Sequence, residues 1–233
     1  MKNITDDRGF NQVWADSKST RIRAERRCDY FISQMKLDPV KSVMEIGCGT
    51  GKNAFLLAQK TKLNVLGTDL CVPFVEEARK NFSLPNLQYE ILDFNQADQF
   101  KGQKFDYIIG NGILHHLYHH LDEALVNMRE LLADEGKIIF LEPNIYNPYC
   151  AVIFNYARKW ARLEPDEMAF SKTFITKKLS TANFKNIKVA YKDFLLPGIP
   201  DAFIQPSIVI GDVLERIPLL KMVSQSIYIT AEK

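Results

Sequence analysis

The chain has 233 residues, 46% of them hydrophobic and 25% charged, with a formal net charge of +2. That is enough for one sizeable α/β domain with a substrate-binding addition, and the composition is ordinary for a soluble globular protein. The near-neutral balance excludes a strongly basic nucleic-acid binder, though not a local basic patch.

Residues 10–36 read as helical. Phe10, Val13 and Trp14 fall at i, i+3 and i+4, and Cys28, Phe31, Ile32 and Met35 repeat that spacing. Between them "KSTRIRAERR" carries five cations and one Glu. Pro39 then disfavours helical geometry in Asp38, so residues 1–40 form an N-terminal helical cap. From Lys41 the pattern alternates. "KSVMEIG" is a strand and "KNAFLLAQK" a helix; "LNVLGTDL" is a strand and "PFVEEARKNF" a helix, with Pro73 in its first turn. "LQYEILDF" and "FDYIIGNG" are the third and fourth strands. "LDEALVNMRELL" is an amphipathic helix, and "ADEG" turns the chain into "KIIFLEP", the fifth strand. The helix "TKKLSTANF" precedes two last strands, "NIKVAYKDFLL" and "SQSIYITAEK". Alternation of this kind predicts an α/β fold, a parallel sheet with helices on both faces. Two segments break the rhythm, at about 143–175 and 197–223, and long interruptions of a compact domain usually carry function. They are read as substrate-side inserts in a domain spanning 41–233.

Cys28, Cys48, Cys71 and Cys150 stand far apart, which matches neither a disulfide framework nor a zinc pattern and fits a reducing compartment. The N-terminus lacks the apolar core of a signal peptide, and no run approaches the roughly 18–20 apolar residues that span a bilayer. The expectation is a cytoplasmic protein with no transmembrane segment.

Three glycines, Gly47, Gly49 and Gly51, lie between the first strand and its helix in "VMEIGCGTGKNAF". Glycine is costly to order, so three together suggest close approach of the backbone to a ligand. A strand ending in such a turn before a helix offers free N–H groups and the positive end of a helix dipole, which points to a nucleotide-containing cofactor. A P-loop is excluded because Asn53 supplies no hydroxyl for magnesium, and GxGxG is one residue short of the dinucleotide pattern. The carboxylates decide further. Asp69 ends the second strand, 18 positions after Gly51, where it can accept from ribose hydroxyls. Asp93 ends the third strand, placed to meet an adenine amino group, with Phe94 to pack on the ring. Glu45 would repel a pyrophosphate but suits a ligand carrying an ammonium or sulfonium and no phosphate.

"VMEIGCGTG", "VLGTDL", "ILDFN", "FDYIIGNGILHHL" and "LADEGKIIFLEPN" resemble the ordered motifs of class I S-adenosylmethionine-dependent methyltransferases, of the small-molecule group that includes ubiquinone/menaquinone-type (type 11) enzymes. The resemblance covers about residues 40–145. It implies a Rossmann-like, doubly wound seven-stranded sheet, mostly parallel with the last strand antiparallel, and S-adenosyl-L-methionine as cofactor. By motif match the cofactor-binding roles fall to Glu45, Gly47, Cys48, Gly49 and Gly51, to Asp69 with Leu70, and to Asp93 with Phe94. Asn111 matches a position whose backbone faces the methionine amino group.

Methyl transfer from a sulfonium is an in-line displacement, so alignment and exclusion of water dominate. A hydroxyl acceptor needs a general base, whereas a thiolate or free amine does not. "ILHHLYHH" holds all four histidines of the chain. His116 matches a family histidine and His115 takes the more variable place; either is a candidate base, beside a second-shell or structural role. His119 and His120 are expected to cap the following helix. No metal is expected, because no nearby carboxylate pair completes a site. "GNGILHH" lacks the Asn/Asp-Pro-Pro-aromatic signature of adenine-modifying enzymes, so no nucleic acid partner is expected. Arg21 or Arg23 is expected to meet a carboxylate of cofactor or substrate. Tyr146, Tyr149, Phe154, Tyr156 and Trp160 are expected to line an apolar pocket. "FIQPSIVIGDVLERIPLLKMV" is read as extending that pocket, forming a homodimer contact, or resting on a membrane surface. The reading is methyl transfer to a small, partly apolar or lipid-like acceptor, at oxygen, by a monomer or homodimer. The rivals are a small-amine N-methyltransferase, a nicotinamide oxidoreductase, and a non-catalytic cofactor-binding regulator.

Overall fold

The computed structural model describes residues 17–93, 102–158, 163, 167–196 and 198–233. The predicted contacts of Phe10, Val13, Trp14, Phe94 and Trp160 lie outside the described residues.

The strands are β1 (Ser42–Ile46), β2 (Asn64–Asp69), β3 (Leu87–Ile91), β4 (Phe105–Asn111), β5 (Leu132–Pro143), β6 (Lys185–Lys192) and β7 (Ser226–Glu232). They form one seven-stranded sheet in the order β3-β2-β1-β4-β5-β7-β6. β1 to β5 pair in parallel, and β7 is antiparallel to both β5 and β6. This is the expected Rossmann-like arrangement with its last strand reversed. The order turns back between β1 and β4, which puts the switch point of the doubly wound sheet beside the glycine turn.

The helices are α1 (Lys18–Ser33), α2 (Lys52–Thr61), α3 (Val72–Asn81), α4 (Leu121–Leu131), α5 (Pro148–Asn155), α6 (Lys172–Thr181) and α7 (Asp201–Leu214). Successive strand residues point to opposite faces. Met44, Ile108, Ile138, Ile227 and Ile229 therefore pack with α4 and α6 through Leu121, Leu125, Met128, Ile175 and Leu179. Their neighbours Val43, Ile109, Ile139 and Tyr228 pack on the other face with Cys28 and Phe31 of α1, Ala54 and Leu57 of α2, and Val75 and Ala78 of α3. Unbroken apolar runs in the central strands follow from burial on both faces.

Three local expectations are corrected. The "ADEG" segment lies within β5, and the pairing steps from Phe105–Leu132 to Tyr107–Lys137, so these residues form an irregularity in the strand. The first insert contains α5, which starts on Pro148 with the Asn147 side chain accepting from the Cys150 N–H at 3.1 Å. The second contains α7, whose interior Pro206 disguises a four-turn helix as a broken segment. Among the described residues no helix is long and apolar enough to cross a membrane.

Candidate active site

β1, β2 and β4 end on the same side of the sheet, and their end residues form the site. Gly47, Gly49 and Gly51 all have positive φ, at 67°, 53° and 82°, a region that side chains disfavour. Their surroundings differ. A Cβ on Gly47 would stand 2.6 Å from Ile113 Cδ1, and one on Gly51 would stand 2.7 Å from both Ala78 Cβ and Tyr89 Oη. Those two permit tight packing within the chain. Gly49 alone opens on free space within 4 Å. Cys48 between them is buried, and its N–H donates to the Thr68 carbonyl at 2.9 Å.

Asp69, at the end of β2, is tied to the turn. Its Oδ2 accepts from the Gly49 N–H at 2.8 Å and its Oδ1 from the Cys71 N–H at 2.9 Å, across the half-buried Leu70. β3 ends at Ile91, so Asp93 lies two residues beyond the strand. The Leu92 N–H donates to the Asp69 carbonyl at 3.0 Å, which keeps this segment alongside the end of β2. Glu45 is 2% exposed; Oε1 accepts from Asn53 Nδ2 at 2.7 Å, while Oε2 is buried with no hydrogen-bond partner. Burial pushes its carboxyl up to about 7; the Asp69 charge adds to this, and Asn53 and the Ala54 N–H offset part of it. An orphaned buried oxygen beside a turn open at Gly49 fits a ligand group bearing positive charge.

The second half of the site follows β4. Asn111 presents its side chain to α1, its Oδ1 accepting from Arg27 Nη1 at 2.8 Å. Residues Leu114–His120 then form a 3₁₀ segment. Glu142, near the end of β5 and 1% exposed, gathers this turn. Its Oε1 accepts from the Ile113 and Leu114 N–H groups at 3.0 and 2.8 Å, and its Oε2 from the His115 N–H at 3.3 Å. The same Oε2 lies 2.9 Å from His115 Nδ1. A carboxylate only accepts, so the proton of neutral His115 sits on Nδ1 and its Nε2 carries a lone pair. The ring is buried, edge-on to Phe154 at 5.8 Å and 4.1 Å from the His116 ring. His116 Nδ1 in turn lies 3.0 Å from Glu167 Oε1, a carboxylate that is 4% exposed. Two carboxylates, Glu142 and Glu167, thus stand beside the histidines, against the expectation that no nearby carboxylate pair would do so. They arrive from β5 and from residue 167, far away in the chain. A Glu ending the apolar run "IIFLEP" was the available signal for Glu142.

Other expectations shift with these contacts. His120 occupies the N-cap of α4 without a side-chain cap and pairs instead with Glu123 at 3.7 Å. Arg21 is exposed, and Arg23 meets a carboxylate of its own chain. Asp193, at φ 71°, lies 3.5 Å from Arg23 Nη2 and 2.8 Å from Arg27 Nη2, and Arg23 also donates to Gln225 at 2.7 Å. Burial and the Arg27 charge lower Arg23 to about 10. Burial alone would lower Arg27 as well, but the Asp193 carboxylate reverses this and leaves it raised. Of the aromatic insert, Phe154 is buried, whereas Tyr146, Tyr149 and Tyr156 are 49%, 47% and 87% exposed and do not line an enclosed pocket. Phe203, Val209, Ile210 and Val213 on α7 are each more than half exposed.

Residues 44–138 match the family model described as a methyltransferase domain. A highly reducing polyketide synthase of Emericella nidulans is 26% identical over 209 residues, covering 82% of this chain and 8% of that protein. A probable tRNA methyltransferase 9B of Mus musculus is 32% identical over 120 residues, covering 50% of this chain and 24% of that one. The chain thus spans a small part of these curated relatives. Among solved structures, a SAM-dependent methyltransferase from Archaeoglobus fulgidus superposes with a TM-score of 0.66 at 17% identity, covering 91% and 94% of the two chains. The citrinin polyketide synthase CMeT domain superposes with a TM-score of 0.62 at 15% identity, covering 94% of this chain and 54% of that one. These likenesses bear out the methyltransferase class without singling out the quinone group.

Proposed function

We propose that this chain, a class I S-adenosylmethionine-dependent methyltransferase, methylates an acidic carbon of a small, polyketide-like acyl acceptor. The single observation that carries the reading is the buried His115–Glu142 pair. A carbon flanked by carbonyl groups must lose a proton before it can attack, and so requires a positioned base. Glu142 fixes the imidazole through Nδ1, leaving the Nε2 lone pair to take that proton. An unprotonated amine needs no such base, which weighs against the N-methyl reading. A hydroxyl acceptor would use the same base, so oxygen is the second reading. The likeness to polyketide synthases, including a CMeT domain, favours carbon.

Bound S-adenosylmethionine supplies an electrophilic methyl group on a sulfonium. Glu45 would face its positive charge, Gly49 would leave room for its backbone approach, and Asp69 and Asp93 would accept from ribose and adenine. Leu70, Cys48 and the Asn111 backbone complete the proposed contact set, with Gly47 and Gly51 shaping the turn. A formal net charge of only +2 argues for a small acceptor over nucleic acid.

The test supplies S-adenosylmethionine carrying a ¹³C methyl together with a β-ketoacyl thioester and a matched phenol, and locates the label by NMR. The reading expects the label on the carbon between the two carbonyls. Label on oxygen alone would overturn it.

A further inference from the structure

Two histidines and a carboxylate converge at the end of β4 in a way that the base role of His115 alone does not require. His115, His116 and Glu167 each offer one ligand atom, and these atoms lie within 4.8 Å of one another. His116 Nδ1 and Glu167 Oε1 are already 3.0 Å apart, close to the roughly 3.4 Å edge of a tetrahedral zinc site with ligand bonds of about 2.0–2.2 Å. The His116 side chain is 43% exposed, which leaves a path for an ion and a water.

The surrounding structure holds the three donors in place. The Met168 N–H donates to the His115 carbonyl at 3.4 Å, and the Phe170 N–H donates to the Pro143 carbonyl at 3.1 Å. Arg158 donates to the Glu167 carbonyl at 2.9 Å, so the cation beside the site also fixes its backbone. Glu142 accepts at His115 Nδ1, which directs Nε2 to any metal; a carboxylate behind a histidine ligand is the usual orienting partner of zinc. Two imidazoles and one carboxylate suit a zinc-class cation far better than magnesium or calcium, which take oxygen ligands.

We propose that His115, His116 and Glu167 form a binding site for a zinc-class divalent cation, and that occupancy withdraws the His115 Nε2 lone pair and inhibits methyl transfer. Only the inhibition rests on the base role given to His115; the binding site stands on geometry.

Metal-free protein is titrated with Co(II), read by its visible ligand-field spectrum, and then displaced by Zn(II). One equivalent of Co(II) should give a four- or five-coordinate band that Zn(II) abolishes. Binding should weaken at least about tenfold in Glu167→Gln and in His116→Ala, and stay unchanged in His120→Ala, which removes an exposed histidine elsewhere. Methyl transfer by the wild type should fall with zinc and recover with chelator. No band at one equivalent, or a band lost in His120→Ala and kept in Glu167→Gln, would overturn the site. Tight binding with full methyl transfer would uphold the site and contradict the base role.

Discussion

Glu45 is the residue on which burial and charge disagree most visibly. A carboxylate that is 2% exposed, with one oxygen unpartnered and Asp69 nearby, costs the folded protein stability whenever it is ionised. Its carboxyl holds a proton up to about pH 7, whereas in the unfolded chain it ionises near 4.5. The folded state therefore binds more protons between those values, and this residue makes stability fall as pH rises from about 4.5 to 7. Glu45→Gln should unfold at a higher temperature than wild type at pH 8, by a free energy on the order of 1–3 kcal/mol, with the gap closing towards pH 4. The same variant should bind S-adenosylmethionine more weakly, and wild-type affinity should rise between pH 6 and 8. Thermal unfolding and calorimetric titration at those pH values check both expectations. A variant less stable than wild type at pH 8 would contradict them. The sequence made this residue legible, because a Glu between apolar neighbours stands out beside three glycines. It did not reveal that Gly47 and Gly51 pack against Ile113, Ala78 and Tyr89, since those partners are distant in the chain.

At the scale of elements, α1 is fastened to the carboxyl side of the sheet by charge as well as by Cys28 and Phe31. Asp193, just after β6, serves two guanidiniums, the buried Arg23 and the half-buried Arg27, and Arg27 continues to Asn111 and to Ser226 at 3.1 Å. Burial would raise the Asp193 carboxyl, but Arg27 and Arg23 outweigh it and hold it below its ordinary range. Removing that charge leaves the buried Arg23 and the half-buried Arg27 facing each other without a counter-charge. Asp193→Asn should cost about 3–5 kcal/mol at pH 7, seen as a lower urea midpoint. The difference should shrink in acid, as wild-type Asp193 is itself protonated. A loss below about 1 kcal/mol would show that α1 is held by its apolar face alone. Periodicity made most of the helices and strands readable, because each buries a regular stripe. It did not show which cation meets which anion, because Asp193 stands 166 positions from Arg27 in the chain. α7 was hidden for a local reason, the proline inside it.

At the scale of the whole molecule, the sheet brings the glycine turn and the His115–Glu142 pair to one edge of the switch point. Gly47 packs on Ile113, and Ile113 is held by Glu142. The alternating pattern and the ordered motifs carried the seven-stranded, mostly parallel sheet with its reversed last strand, and pointed to the turn after β1 as the proposed cofactor side. Glu142 and Glu167 come from β5 and from the region around residue 167, whose approach to the histidines depends on the completed fold. The proposed function turns on His115 removing a proton from the acceptor carbon. Deuterium uptake from solvent at that carbon of a β-ketoacyl thioester, in wild type and in His115→Ala with S-adenosylhomocysteine bound, reads this step itself. Enzyme-dependent exchange should fall at least about 100-fold in the variant, with cofactor affinity kept. Exchange at the same rate in both proteins would contradict it.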